Sequence, residues 1–423
     1  MTFMKSREWI KKFFLLTITV VFLYACSQGG DSSSSSSSDH DSSPGTDDGY
    51  LVEATSLGEV SADKIRQKAL EAGFASQAGE FIKYSVKFYK IIYRTTYKGQ
   101  SILASGLISY PTGISDAIPT MIVGNIQTYA DQDAPSTFYF SDISLSFASI
   151  AAIAGSAGYL TVIPDMLGAG ESKDVIAPMR NYGHAAGAMI DFIHASEEFI
   201  QKRKIQVNGK KFITGYSEGG YIALAALKMI EEKPVEGLTI EATSVGAGGY
   251  NLVNLLNKII IDGSGSYSAP CDLALLIYSY NAMYDWNRPL TDFFQEPYAG
   301  NMPDLLSGKY TREEINTQLT ESLEDLFNPV FLDNLKNNGE TALISALNEN
   351  SVDNWAPKGK LMLFHNRYDQ LIPFSDTMET YQKMLFNGAQ NVMLRDTSDV
   401  ESHFDSATAF VIITSLWFDS MKQ

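Results

Sequence analysis

The stretch that decides the fold is Phe212-Ile213-Thr214-Gly215-Tyr216-Ser217-Glu218-Gly219-Gly220, followed by an alanine-rich segment from Tyr221 to Glu231. This stretch predicts a strand–turn–helix unit, because a short apolar run is followed by a tight turn with serine at its apex and then by a helical segment. Such an elbow exposes the serine hydroxyl beside the first N–H groups of a helix, where a developing oxyanion is stabilised. We expect a Cβ atom at Gly215 or Gly219 to clash with the neighbouring strand and helix.

The Gly-x-Ser-x-Gly pattern alone is weak evidence for such an elbow. The chain contains 32 glycines, so an ordinary glycine-rich turn is the alternative interpretation. The apolar run before the motif and the helical segment after it favour the elbow, because both are what the motif requires.

Length and charge limit the possible classes of protein. The chain has 423 residues with 45% hydrophobic content, which suits one large catalytic domain with an insertion, or two domains. Its formal net charge is −17, and the longest basic run beyond the N-terminal leader is Lys202-Arg203-Lys204. A nucleic-acid partner would be repelled by this charge, so we exclude nucleic-acid binding.

Residues 1–26 have the composition of a bacterial export signal. Lysines and an arginine precede an apolar run, Phe13 to Ala25, that is too short to span a bilayer as a settled helix. The run ends in Leu23-Tyr24-Ala25-Cys26, which resembles the lipobox of bacterial lipoproteins, in which the cysteine is lipidated. We therefore expect an exported lipoprotein of the cell envelope, held at the outer membrane through Cys26. A plain signal peptide with a chance cysteine and an uncleaved anchor are the alternatives.

Residues 27–50 form a different kind of segment. Seven consecutive serines, Ser32 to Ser38, lie among aspartates without large apolar residues, which predicts a disordered tether between lipid and domain. Cys271 is the only other cysteine, so with Cys26 acylated no internal disulfide is expected. We interpret Cys271 as a small buried hydrophobic residue.

Beyond the tether, short apolar runs alternate with helical segments. Ser61 to Ala72 predicts a helix, and the runs from Ile82 to Tyr93 and from Ile102 to Tyr110 predict an antiparallel hairpin. Further strands are predicted at Thr120–Val123, Leu160–Ile163, Phe212–Thr214, Ile240–Val245, Leu361–Phe364 and Val392–Leu394. Strands that alternate with helices indicate an α/β fold, a mostly parallel sheet wrapped by helices; with its leading hairpin this suits the α/β-hydrolase plan.

One segment, residues 251–357, interrupts the alternation. It contains helical periods but no convincing strand, so we predict a helical cap inserted after the sixth strand. The hydrolase core is then split into residues 51–250 and residues 358–423. The cap is rich in tyrosine and phenylalanine, which either fill its own core or line an apolar substrate pocket.

The serine needs a base and an acid behind that base. Five histidines are present, and in α/β-hydrolases the chain order is serine, acid, histidine, which leaves His365 and His403. Only His403 leaves room in the sequence for an acid between the end of a preceding strand and the histidine, so we predict His403 as the base and His365 as a core residue. The acid is predicted at Asp369, four residues beyond the strand Leu361–His365. The alternative acids are Asp376, Asp396 and Asp399.

An oxyanion site needs two N–H donors. The first is predicted to be the backbone N–H of Glu218, and the second that of Gln127 in the loop after the third strand. No His-Gly-Gly-Gly run is present, so the chain departs from the hormone-sensitive-lipase pattern.

With these residues located, the chain resembles an α/β-hydrolase of the secretory lipase (lipase-A-like) family and related bacterial lipoprotein esterases. The resemblance rests on the run Gly158 to Ser172, which contains Asp165-x-x-Gly168-x-Gly170-x-Ser172 after a strand, on the elbow, and on the position of the cap. It covers roughly residues 81–423. It implies that a loop residue matching Gln127 donates to the oxyanion; Asp165 we interpret as a structural, turn-forming residue.

These features together predict a serine carboxylic-ester hydrolase, an esterase or lipase, that forms an acyl-enzyme and uses no metal or organic cofactor. Acyl, feruloyl and acetylated-glycan esters fit this prediction about equally well. A serine peptidase of prolyl-oligopeptidase type is an alternative, although too few residues precede the sheet for the propeller of that class. A catalytically inactive, lipid-anchored binding module is the other alternative.

Overall fold

The computed structural model describes residues 49–71, 81–126, 128–138, 147–261, 263–398 and 402–423. The predicted signal peptide, Cys26 and most of the tether therefore lie outside the described residues, as does Gln127. Within the described ranges no helix is both long and apolar enough to cross a bilayer.

One twisted sheet forms the centre of the described structure. Its strands are β1 (Leu51–Val60), β2 (Ser85–Tyr97), β3 (Gln100–Thr112), β4 (Ile118–Gly124), β5 (Leu160–Pro164), β6 (Val207–Tyr216), β7 (Ala242–Gly246), β8 (Leu361–Asn366) and β9 (Val392–Thr397). The strand order is β1-β2-β3-β5-β4-β6-β7-β8-β9. Strands β1 to β3 and the β3–β5 pair are antiparallel, whereas β4 to β9 pair in parallel. The predicted mostly parallel sheet with a leading antiparallel hairpin is confirmed.

The helices that cover the sheet lie between the strands in sequence. They are α1 (Ala62–Glu71), α2 (Phe147–Ser156), α3 (Tyr182–Arg203), α4 (Glu218–Glu232), α12 (Phe374–Phe386) and α13 (His403–Asp419). Strands β4, β5, β7 and β8 are buried at every residue, since helices cover both faces of the parallel part of the sheet. This burial explains the apolar runs of β4, β5 and β8, such as Leu361-Met362-Leu363-Phe364, whereas β7 also buries the polar residues Thr243 and Ser244.

The strand β1 differs from the sequence-based expectation. Leu51–Val60 pairs only with β2, at the edge of the sheet, and most of its residues are exposed or half-buried. An edge strand with one neighbour has little apolar patterning, so the sequence does not predict it. Because of this extra strand, the segment predicted to follow the sixth strand follows the seventh strand of the structure.

That helical segment lies between β7 and β8 as expected. Its helices are α5 (Leu252–Ile260), α6 (Pro270–Met283), α7 (Tyr298–Leu305), α8 (Arg312–Gln318), α9 (Leu323–Leu326), α10 (Pro329–Lys336) and α11 (Thr341–Asn350). All four of its phenylalanine side chains, Phe293, Phe294, Phe327 and Phe331, are buried and pack against each other. These rings therefore fill the core of the segment, which we call the cap.

Candidate active site

The strand–turn–helix unit is present at Ser217. Strand β6 ends at Tyr216 and α4 begins at Glu218, so the serine is the single residue of the turn. Its backbone has φ 56° and ψ −132°, a conformation that non-glycine residues rarely adopt. The Ser217 N–H donates to the carbonyl of Gly246 at the end of β7, at 2.8 Å. A hydrogen bond to the neighbouring strand therefore holds the strained turn in place.

Glycines are required around this turn because backbone atoms meet there. A Cβ atom on Gly215 would overlap the carbonyl oxygen of Gly219, and a Cβ atom on Gly219 would overlap the carbonyl oxygen of Gly124 in β4. The expected clash with the neighbouring strand and helix is thus confirmed at both positions. The close approach of β4, β6 and α4 depends on these three residues having no side chain.

The structure brings Ser217, His403 and Asp369 together although they are far apart in sequence. The Nε2 atom of His403 lies 2.9 Å from Oγ of Ser217, and its Nδ1 atom lies 2.6 Å from Oδ2 of Asp369. His403 is the first residue of α13 and is buried, whereas Ser217 is half-buried. These distances are within hydrogen-bonding range, so a proton can pass from the hydroxyl to the imidazole.

Asp369 lies in the loop between β8 and α12, and it is held as an ionised carboxylate. Its Oδ1 atom accepts hydrogen bonds from the backbone N–H groups of Leu371 and Ile372, at 2.9 and 3.0 Å. Burial would raise the pKa of Asp369, but hydrogen bonds from His365 and His403 outweigh burial and lower that pKa well below its ordinary value. An ionised carboxylate beside Nδ1 keeps the proton of neutral His403 on that nitrogen, which leaves Nε2 free to accept.

Two further side chains contact this group, and the sequence predicted a site role for neither. The hydroxyl of Tyr216 donates to the backbone carbonyl of His403 at 2.7 Å, and its ring lies 5.1 Å from the imidazole. His365 is fully buried, as expected of a core residue, but its Nε2 atom lies 3.3 Å from Oδ2 of Asp369. The spacing of His365 four residues before Asp369 is the signal that could have pointed to this contact.

The alternative acids do not lie beside His403. Asp376 is buried on α12, where its two carboxylate oxygens accept from the backbone N–H groups of Tyr250 and Asn251, at 2.7 and 3.1 Å. Asp396 forms an ion pair with Arg367. Asp399 lies outside the described residues.

Of the predicted oxyanion donors, Glu218 occupies the first position of α4, directly after the serine, where helix N–H groups face the turn. Asn125, at the end of β4 and two residues before Gln127, is buried, and neither polar atom of its side chain has a hydrogen-bond partner in the described structure.

Asp165 has the structural role that the sequence predicted. It is fully buried, and its carboxylate accepts from the hydroxyl of Ser105 at 2.5 Å and from the backbone N–H of Ser136 at 2.8 Å. Burial raises the pKa of Asp165 despite these hydrogen bonds. The carboxylate thereby connects the loop after β5 to β3 and to the loop after β4.

The cap contacts both sides of the site through one ion pair. Arg312 on α8 donates to both carboxylate oxygens of Asp272 on α6, at 2.6 and 3.1 Å, and Tyr129 in the loop after β4 donates to the same carboxylate at 2.8 Å. The guanidinium of Arg312 also lies 5.9 Å from the ring centre of Phe404, the residue after His403. A pocket of about 180 Å³ lies beside this junction, between the loop after β4, the loop after β5 and helices α6 and α7.

No cluster of three or more histidine, cysteine, aspartate or glutamate side chains that could hold a metal ion occurs among the described residues.

The sheet order, the serine elbow and the arrangement of the loops define an α/β-hydrolase fold. No protein-family model matches the chain. The chain is 23% identical over 256 residues to the secreted triacylglycerol lipase LIP5 of Malassezia furfur, a match that covers 57% of this chain and 60% of that lipase. The chain thus spans less than two thirds of the length of this relative.

Solved structures show the same fold. The rice cell wall degrading esterase LipA of Xanthomonas oryzae is 22% identical, with a TM-score of 0.76 over 86% of this chain and 97% of that chain. Lipase A of Candida antarctica in its closed state is 15% identical, with a TM-score of 0.64 over 88% of this chain and 81% of that chain. The resemblance to lipase-A-like hydrolases that the sequence indicated is therefore confirmed in the fold.

Proposed function

We propose that the protein is a carboxylic-ester hydrolase in which Ser217 is the nucleophile, His403 the general base and Asp369 the residue that orients the base. The observation that carries this proposal is the continuous pair of hydrogen bonds from Ser217 Oγ through His403 to Asp369, at 2.9 and 2.6 Å. The similarity to a secreted lipase and to an esterase supports the choice of an ester as substrate.

In the first half of the proposed reaction, Nε2 of His403 accepts the proton of the Ser217 hydroxyl while Oγ forms a bond to the ester carbonyl carbon. The carbonyl oxygen becomes an oxyanion in the tetrahedral intermediate. The imidazolium then gives the proton to the alcohol oxygen, the bond from carbon to that oxygen breaks, and an acyl-enzyme remains on Ser217. Asp369 stays ionised throughout and stabilises the positive ring.

In the second half, water replaces the alcohol. His403 accepts a proton from the water molecule, and the water oxygen attacks the acyl carbon. The carboxylic acid leaves when the bond to Ser217 Oγ breaks and the serine recovers its proton from the imidazolium.

We propose that the oxyanion is bound by backbone N–H groups rather than by a metal. The amide of Glu218 is one donor, because the helix α4 begins there and its dipole favours negative charge at this end. Gln127 is retained as the second donor on the strength of its position after β4. A donor lost from such a site typically lowers kcat by roughly a hundredfold to a thousandfold.

We also propose that the protein is exported and anchored by lipid at Cys26. The lipobox-like sequence before Cys26 supports this location, and the lipase relative is itself described as secreted. Metabolic labelling with a clickable fatty acid is expected to label the wild type and not Cys26→Ser. Labelling of both would contradict anchoring at this residue.

The test of activity uses protein that lacks residues 1–26 and a panel of p-nitrophenyl esters that vary in acyl length and aromatic character, together with feruloyl and acetylated-glycan esters. A fluorophosphonate probe measures the nucleophile directly. We expect hydrolysis and covalent labelling of the wild type, and loss of both in Ser217→Ala.

The matched control is Ser420→Ala, near the C-terminus and remote in sequence from the elbow, which should keep both signals. If neither wild type nor Ser217→Ala hydrolyses any ester or takes up the probe, the protein is a binding module and not a hydrolase. If Ser217→Ala retains turnover, the nucleophile has been assigned wrongly.

A further inference from the structure

His365 was expected to be an ordinary core residue, but its contacts reach the proposed active site. It is the fifth residue of β8 and is fully buried. Its Nδ1 atom lies 2.7 Å from the hydroxyl oxygen of Thr377 on α12, and its Nε2 atom lies 2.9 Å from the backbone carbonyl oxygen of Ile372. The ring of Phe374 packs edge-on against it, with ring centres 5.8 Å apart. The imidazole is therefore held on several sides.

These partners determine the tautomer of His365. The Ile372 carbonyl and the Asp369 carboxylate can only accept hydrogen bonds, and both face Nε2, at 2.9 and 3.3 Å. A lone pair on Nε2 would be repelled by both oxygens, so Nε2 carries a proton. The Thr377 hydroxyl then donates to Nδ1, which is unprotonated in the neutral ring.

The second imidazole shares an oxygen atom with the proposed catalytic group. Oδ2 of Asp369 lies 2.6 Å from Nδ1 of His403 and 3.3 Å from Nε2 of His365, while Oδ1 is occupied by two backbone N–H groups. The side chains of Asp369 and His365 are both fully shielded from solvent. The Nε2–H of His365 is shared between the Ile372 carbonyl at 2.9 Å and this carboxylate at 3.3 Å. Because water cannot substitute for it in such surroundings, the shared N–H constrains the orientation of the carboxylate.

We propose that His365 is a positioning residue that holds the Asp369 carboxylate in line with His403 and draws part of its negative charge away from that ring. The inference rests on the proposed function, since it assigns His365 a role through Asp369. His365 bonds to Ile372 in the same loop and to Thr377 on α12, so it also fixes that loop between β8 and α12.

The two roles have distinct consequences. If His365 only filled space, its replacement by an apolar side chain would change stability and leave the pH dependence of turnover unchanged. If it shares the charge of Asp369, its loss leaves more negative charge on the side of His403, and the imidazolium becomes easier to form. The acidic limb of the pH profile of kcat/KM then moves to higher pH.

Other ionisable groups face this pair and remain in every variant. Asp376, on α12, interacts with His365, and Tyr216, at the end of β6, interacts with Asp369.

The experiment compares His365→Leu, His365→Gln and Thr377→Val with wild type in the p-nitrophenyl ester assay across pH. We expect His365→Leu to lower kcat by roughly tenfold to a hundredfold, the scale of a lost hydrogen bond to a charged group. It should also move the acidic limb of the pH profile of kcat/KM to higher pH by roughly half a pH unit. His365→Gln, whose side-chain N–H can reach the position of Nε2–H, should restore most of kcat and the wild-type position of the acidic limb. Thr377→Val should change kcat and the acidic limb in the same directions as His365→Leu, but by less. It keeps the test usable if His365→Leu does not fold.

The matched control is His184→Leu, which removes a half-buried imidazole on α3 that bonds to the backbone N–H of Lys98 and to Asn181. It should leave kcat and the pH profile unchanged. An unchanged limb in both His365→Leu and Thr377→Val, whatever the stability, overturns the positioning role. Ser217→Ala separates the two proposals: if it is inactive while His365→Leu behaves as wild type, only the role of His365 fails.

Discussion

Replacement of Asp369 by asparagine tests the orientation of the base with minimal change of volume. In the wild type, Oδ1 accepts from the N–H groups of Leu371 and Ile372, and Oδ2 accepts from Nδ1 of His403. An asparagine has one acceptor oxygen and one NH2 group. It must therefore present a donor either to two backbone N–H groups or to the imidazole.

The hydrogen bonds indicate which orientation is preferred. Turning the NH2 group toward Leu371 and Ile372 loses two short buried hydrogen bonds. Turning it toward the imidazoles loses one short hydrogen bond, that from His403, and the longer 3.3 Å contact with His365. Since each is worth about 1.5–3 kcal/mol when the partner is charged and somewhat less for an amide, the second orientation is favoured by on the order of 1 kcal/mol or more. In that orientation Nδ1 of His403 must accept, so its proton moves to Nε2 and faces the Ser217 hydroxyl.

A protonated Nε2 cannot deprotonate the serine. The equivalent change in a serine protease lowers kcat by roughly ten-thousandfold with the geometry intact, and we expect a loss of similar order here. Turnover of a short p-nitrophenyl ester measures the effect, and circular dichroism verifies the fold. Asp396→Asn, also at the end of a strand but paired with Arg367 rather than with His403, is the control and should stay active. A folded Asp369→Asn protein with kcat within tenfold of the wild type would refute the assignment of the acid.

Three further predictions concern the elbow, a buried carboxyl group and the base. Gly219→Ala should destabilise the protein by about 1–3 kcal/mol and abolish turnover, because the new methyl group overlaps a carbonyl of β4. The control Gly187→Ala, whose methyl group meets open space on α3, should be neutral or stabilising. Equal melting temperatures of the two variants would contradict the overlap. Burial raises the pKa of Asp376 from 3.8 to about 6, so its folded form retains a proton that the unfolded chain has lost. Its contribution to the free energy of unfolding is complete below about pH 4 and is lost as pH rises through about 6, a fall of about 3 kcal/mol. Urea titrations at several pH values should show this fall in the wild type and not in Asp376→Asn. A parallel pH dependence in both proteins would disprove this. Finally, kcat/KM should fall at acidic pH, because His403 must be neutral to accept a proton; a profile flat down to about pH 4 would exclude a histidine base.

Some of the site could be predicted because its signals are local. The elbow requires glycines within two residues of Ser217, and the strand before it and helix after it have their own short-range patterns. The choice of His403 and Asp369 needed two additional rules, the order of serine, acid and histidine along the chain and the position of the acid just beyond a strand. The structure places both beside Ser217, and it places Asp376 and Asp396 elsewhere.

Other features depend on residues that are distant in sequence. The edge strand β1 has no strong apolar alternation, because only one neighbour and no covering layer select its side chains. The hydroxyl of Tyr216 reaches the carbonyl of His403 only because α13 packs beside the end of β6. No pattern within either segment predicts that contact.

The sequence by itself determined the class of fold and the serine at the turn, and it predicted the order of the serine's proposed partners, since each follows from spacing within one element or from the succession of elements. Only the tertiary structure decided that Oδ2 of Asp369 faces two imidazoles, and that the cap reaches both sides of the site through Asp272 and Arg312. The physical reason is that a hydrogen bond depends on tenths of an ångström between side chains, and those distances are set by how β8, α12, α13 and the cap pack together.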